Sequence, residues 1–148
     1  MTTINWHDRL KSTTFTIKNL INGEQSSPAG DPLISKYAPF DGTLLYQFAE
    51  GTAAEVDQAV ASAREAFRDG RWRNKPEEER QEILLKLAKL IEDNAEEFAL
   101  MECVDVGKPI TNALHDDVAR GAGALRGAAA DLANLLQPSG VSGSDVAY

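Results

Sequence analysis

A single cysteine, Cys103, stands in the sequence, so no disulfide can form within the chain and any fold must rest on packing. The two histidines, His7 and His115, lie far apart, without a partner at ligand spacing that would select zinc. No run of about 18 apolar residues is present that would span a bilayer, and the first thirty residues lack the continuous apolar stretch of a secretory leader. These absences give the expectation of a soluble, cytoplasmic protein with no membrane partner. Lysine and arginine number 15 against 23 aspartates and glutamates, a net charge of −8, and no basic run offsets it locally. Such a chain repels a phosphate backbone, which argues against nucleic acid as a partner. A Gly-x-Gly-x-x-Gly fingerprint is also missing.

What is present is an ordinary globular mixture, 43% hydrophobic and 26% charged over 148 residues, enough for one domain. The apolar period changes near residue 50. Before it, "FTIKNLING" alternates Phe15 and Ile17 with Thr16 and Lys18 and runs into Asn22-Gly23, a pair that tolerates the positive φ angles of a hairpin turn. "PLISKYAPFDGTLLYQFAEG" repeats the pattern, with a turn at Pro39, Asp41 and Gly42 and with Leu44, Tyr46 and Phe48 expected on one strand face. Residues 1–13 carry no clear signal.

After residue 50 the chain reads as four helices. Thr52 and Glu55 have capping-box spacing ahead of an apolar face of Val56, Val60, Ala63 and Phe67, and Gly70 stops that helix. Pro76 and Glu77 to Glu79 suit the start of a second helix, whose stripe is Ile83, Leu84, Leu87, Leu90 and Ile91. Asn94 and Glu97 repeat a capping pattern before a third helix that ends at Gly107 and Pro109. A fourth, from about Thr111 to Leu136, aligns Leu114, Val118, Leu125, Leu132 and Leu136. Its Gly121, Gly123 and Gly127 each cost about 1 kcal/mol in a helix interior, which points either to close approach of another element or to low-complexity drift. The fold class expected from the pattern is α+β: two N-terminal β-hairpins followed by about four helices.

The stretch "MECVDVGKPI" concentrates the candidate chemistry. A thiolate nucleophile needs a helix N-terminus or a paired cation, whereas Cys103 falls in the last turn of a helix between Glu102 and Asp105. A phosphate-binding loop needs a glycine and a Ser or Thr where Glu102 and Pro109 stand. "HDDV", residues 115–118, reads either as an acid–base cluster or, more commonly, as the polar face of a helix. The residues alone supply no catalytic or cofactor-binding residue.

"PFDGTLLYQFAEGTAAEVDQAVASAREAF" and "WRNKPEEERQEILLKLAKLIEDNAEEFALMECVDVGKPI" resemble the N-terminal part of the NAD(P)-dependent aldehyde dehydrogenase superfamily. The likeness rests on Ile21-Asn22-Gly23-Glu24, Pro39 with Gly42, Val56-Asp57-Gln58-Ala59-Val60, Trp72-Arg73 and Val104 to Pro109, and covers roughly residues 15–137. Within it, "GKPITNALHDDVARGAGALR" with Trp6 and Asp8 is most similar to the γ-glutamyl-γ-aminobutyraldehyde dehydrogenases. Ala38 departs from the family's usual Asn before the proline, and the glycines at 121, 123 and 127 stand where bulkier residues are common.

The resemblance implies oxidation of an aldehyde to a carboxylate with NAD or NADP in the full-length family. Its catalytic cysteine, glutamate and cofactor motifs have no match here; Cys103 matches a position that is commonly threonine. The expectation is therefore an N-terminal segment, inactive and binding no cofactor alone, with residues 1–14 an extension, 15–137 part of the cofactor-binding domain, and 138–148 a linker or the start of an oligomerisation strand. Its partner would be the missing remainder of the enzyme or a second copy. The alternative is a non-catalytic α+β interaction module that binds a dehydrogenase subunit or another protein. Three carry-overs follow: Asp105 with the Tyr37 carbonyl as ligands of a structural monovalent cation, and Asp117 and Arg120 beside the substrate entrance. The leucine stripes of the second and fourth helices require cover, since five exposed leucine-sized side chains forfeit on the order of 10 kcal/mol.

Overall fold

The computed structural model describes residues 4–26 and 33–135. Two separate antiparallel hairpins precede the long helices, as the change of period predicts. Strands β1 (Asn19–Ile21) and β2 (Glu24–Ser26) are joined by Asn22 and Gly23, whose φ angles of 53° and 81° are the paired left-handed conformations of a tight hairpin turn. The ladder begins only at Asn19; Phe15 and Ile17 lie before it, outside any strand, in chain that keeps the alternation of half-buried and exposed residues.

Strands β3 (Leu33–Tyr37) and β4 (Leu44–Ala49) form the second hairpin, in which Lys36 pairs with Tyr46 and Tyr37 with Leu44. Leu45 is thus an extra residue, a bulge that breaks the period of two. It corrects the expected face: Tyr46 and Phe48 are half-buried, whereas Leu44 is 53% exposed. A six-residue helix, α1 (Trp6–Lys11), occupies residues in which the sequence carries no clear signal; Asn5 caps it by accepting from the Asp8 amide.

Helix α2 (Ala53–Arg68) starts at the capping box, with the Thr52 hydroxyl accepting from the Glu55 amide and the Glu55 carboxylate accepting from the Thr52 amide. Its apolar face is not its packed face: Val56, Val60 and Phe67 are 58%, 44% and 69% exposed. Glu55 and Ser62 turn instead toward the first hairpin, where Glu55 accepts from Ser26 and Asn19, and Ser62 donates to Asn22.

Helix α3 (Glu77–Asp93) and helix α4 (Ala95–Val106) meet at Asn94. The side chain of Asn94 donates to the Leu90 carbonyl and so closes α3; it does not cap α4, contrary to the sequence reading, because its backbone is not in the extended conformation of an N-cap. The last helical run is continuous but not uniform, with α5 (Ile110–Asn112), a π-helical segment (Ala113–Val118) and α6 (Ala119–Leu135). Helix α3 lies along α6, and α4 against the π segment.

The core is built of small residues. Ala88, Ala99, Leu100, Ala113, Ala122 and Ala129 are buried, while the expected stripe of α3 is split: Ile83, Leu87 and Leu90 are exposed, and Leu84 and Ile91 half-buried. In the last run Leu114, Val118, Leu125 and Leu132 are half-buried; Leu136 and residues 138–148 lie outside the described residues. The glycines at 121, 123 and 127 have no neighbour within 4 Å of where a Cβ would stand, so among the described residues nothing approaches them closely.

Candidate functional site

The chemistry-bearing residues converge where the C-terminal turn of α4 meets the second hairpin. Gly107 ends α4 in the left-handed conformation, φ 76°, and a Cβ there would come within 3.2 Å of the Pro39 ring. Glycine is therefore needed twice, for its dihedral and for the approach of the Pro39 turn. That approach sets Asp105, two residues earlier, against β3 and β4. The Tyr46 hydroxyl donates to Asp105 Oδ1 at 2.6 Å, and Lys36 Nζ pairs with the same oxygen at 3.4 Å. Lys36 and Tyr46 are cross-strand partners, so one register places both beside the carboxylate.

Phe15 and Phe48 flank the Tyr46 ring, with centroids 5.7 and 6.2 Å away. The hydrogen bond to Asp105, together with burial, pushes the Tyr46 hydroxyl up to about 12, so it remains a proton donor through the neutral range. Tyr37, the other residue expected at a cation, follows Lys36 and is 55% exposed. No group of three or more His, Cys, Asp or Glu able to hold a metal occurs among the described residues.

Lys108 and Asp117 form an ion pair that ties the helix stop to the π segment. The wider turn of that segment re-aims Asp117 inward, while Asp116 accepts from Asn112. Arg120, one turn further, is exposed, so the structure does not bring Asp117 and Arg120 into a shared site. Cys103 is half-buried and faces α1, in a groove lined by Trp6, Leu10 and Leu100. Burial raises its thiol above the ordinary cysteine value, which disfavours the thiolate. The GKP motif is accounted for by a helix cap and an ion pair rather than by phosphate binding.

Asp105 was legible in the sequence; its partners Lys36 and Tyr46 and the Lys108–Asp117 pair were not. The Lys36–Tyr46 pairing needs the strand register, which the bulge at Leu45 shifts, and Asp117 needs the π segment.

The sequence profile of the aldehyde dehydrogenase family matches residues 26–146. The NADP/NAD-dependent aldehyde dehydrogenase PuuC of Escherichia coli is 36% identical over 121 residues, 82% of this chain and 24% of that protein. An aminoacetaldehyde dehydrogenase of Pseudomonas aeruginosa is 42% identical over 106 residues, 72% of this chain and 21% of its own. Among solved structures, a gamma-glutamyl-gamma-aminobutyraldehyde dehydrogenase from Burkholderia cenocepacia superposes with a TM-score of 0.82 at 30% identity, over 86% of this chain and 26% of the other. The aldehyde dehydrogenase KauB of Pseudomonas aeruginosa gives 0.83 at 36% identity, over 88% and 26%. The chain spans about a quarter of the length of these relatives. Hairpins, helices and sequence agree with the N-terminal part of that fold, and the chain belongs to the aldehyde dehydrogenase family.

Proposed function

We propose that this chain acts as the N-terminal quarter of an NAD(P)-dependent aldehyde dehydrogenase, supplying scaffold and surface while the chemistry resides in the remainder of the enzyme. Residues 15–137 then form part of the cofactor-binding domain. The observation that carries this reading is the site itself. Cys103 is held against α1 with a raised thiol, Gly107 is a helix cap and Lys108 is paired with Asp117, so the residues present do not fit a nucleophile or a dinucleotide site. The likeness to a gamma-glutamyl-gamma-aminobutyraldehyde dehydrogenase and to an aminoacetaldehyde dehydrogenase supports a polar amino-aldehyde as substrate of the whole enzyme. The family resemblance is what assigns Asp117 and Arg120, on the π segment and the first turn of α6, to the border of its substrate entrance in this reading.

The test grafts residues 15–137 in place of the matching segment of the PuuC relative and follows aldehyde-dependent formation of reduced cofactor. The graft is expected to be active and the isolated chain inactive. Reduction of NAD by the isolated chain with an aldehyde, or micromolar NAD binding by it in calorimetry, would overturn the reading. Arg120→Ala in the graft is expected to raise KM for the γ-glutamyl aldehyde several-fold and to leave KM for a short apolar aldehyde unchanged.

A further inference from the structure

The family resemblance implies a monovalent cation between the Asp105 carboxylate and the Tyr37 carbonyl, and the donor set around Asp105 tests whether such an ion fits. A hard cation is held by several oxygens arranged around it. At Asp105 the Oδ1 atom already accepts the Tyr46 hydroxyl at 2.6 Å and faces the Lys36 ammonium at 3.4 Å. A second cation at this carboxylate would stand within a few ångströms of Lys36 Nζ, where like charges repel. The residues present therefore do not fit a free ion.

We propose that the Lys36 ammonium is a tethered cation that takes the place of an alkali ion at Asp105, leaving the junction of the second hairpin with α4 indifferent to sodium and potassium. Three features of the fold put it there. Lys36 immediately precedes Tyr37, so it projects from the backbone stretch whose carbonyl would serve the ion. Its cross-strand pairing with Tyr46 fixes it on the strand face that meets α4, and the bulge at Leu45 falls just beyond this pair rather than between its members. The close contact of Gly107 with Pro39 holds the turn of the hairpin against the end of the same helix.

Tethering decides the competition. With side-chain exposures of 32% for Lys36 and 39% for Asp105, the ion pair is partly solvated and is not strong in itself. An ammonium held beside the carboxylate by the folded backbone nevertheless acts at a raised effective concentration, and it requires no ion to be drawn from solution. Tyr46 adds a neutral donor to the same oxygen.

Sodium NMR line broadening of the 148-residue chain, at constant ionic strength set with choline chloride, tests the assignment. The unaltered chain and Lys36→Arg, which keeps the charge, are expected to show no saturable broadening. Lys36→Met is expected to gain a saturable site, displaced by potassium and abolished by adding Asp105→Asn. Circular dichroism checks that each variant keeps its helices, and Lys36→Gln replaces Lys36→Met if the latter does not fold. Saturable broadening in the unaltered chain that Asp105→Asn removes would show a free ion beside Lys36 and overturn the proposal. Lys36→Met as silent as the unaltered chain would overturn it too, because no cation site would then exist for Lys36 to fill.

Discussion

Helix α3 has two sides, and they are finished differently. Toward α6 it is closed: Ala88 and Ala129 are buried, the Gln81 side chain donates to the Ala129 carbonyl at 2.9 Å, and Arg126 grips both oxygens of Glu92 at 2.9 and 2.6 Å. Toward α4 it is open: Leu87, Leu90, Ile91, Phe98 and Met101 line an apolar groove, with Leu90 50% and Phe98 47% exposed. Small residues let two helices of this chain meet without help, whereas the large side chains face outward and remain uncovered within it. The first side records what the segment completes by itself. The second is an apolar face that nothing among the described residues covers.

Overfilling the closed side should cost most. Ala88→Leu places extra methyl groups in a seam with no room for them, and a loss of about 1–3 kcal/mol is expected in the free energy of denaturant unfolding. If the cost is under about 0.5 kcal/mol, the seam is looser than described.

Next in size is the bond that fastens the hairpin to α4. Tyr46→Phe removes the hydroxyl from Asp105 and should destabilise by about 1 kcal/mol at neutral pH. The folded chain holds the Tyr46 proton to about 12 against an ordinary 10.0, so this contribution is complete below pH 10 and is lost as the pH rises from 10 toward 12. Thermal melts across that range should converge for Tyr46→Phe and the unaltered chain. Parallel curves would show that the bond does not fasten the hairpin.

Gly127→Ala probes the outer surface of α6, where an added Cβ meets nothing within 4 Å. It should stabilise the isolated chain by about 0.5–1 kcal/mol through helix propensity alone. A loss instead would reveal a neighbour packed on that face. The smallest effect is expected on the open side of α3: Leu90→Ser should change stability by no more than about 0.5 kcal/mol, where a buried leucine would lose several-fold more.

The same contrast explains what the sequence made legible. Period and caps located α2, α3 and α4 closely, since Thr52, Gly70 and Gly107 act locally. They did not tell which apolar stripe is covered, because Val56 and Leu90 look alike in sequence whether or not another element reaches them. Helix α1 is not legible in the sequence because its six residues offer only Trp6 and Leu10 as an apolar pair. Asp105 could be singled out as a residue, but its surroundings depend on the register of β3 with β4 and on the bulge at Leu45, which no local pattern announces.

Light scattering of the isolated chain over a concentration series, with a hydrophobic dye and a thermal melt on the same samples, tests most directly whether the open side of α3 is left for other protein to cover. The account predicts concentration-dependent self-association or strong dye binding, diminished when Leu87 and Leu90 are replaced by serine. A strict monomer at high concentration that binds no dye and melts in one sharp transition would contradict it, and would show that this segment closes its own core.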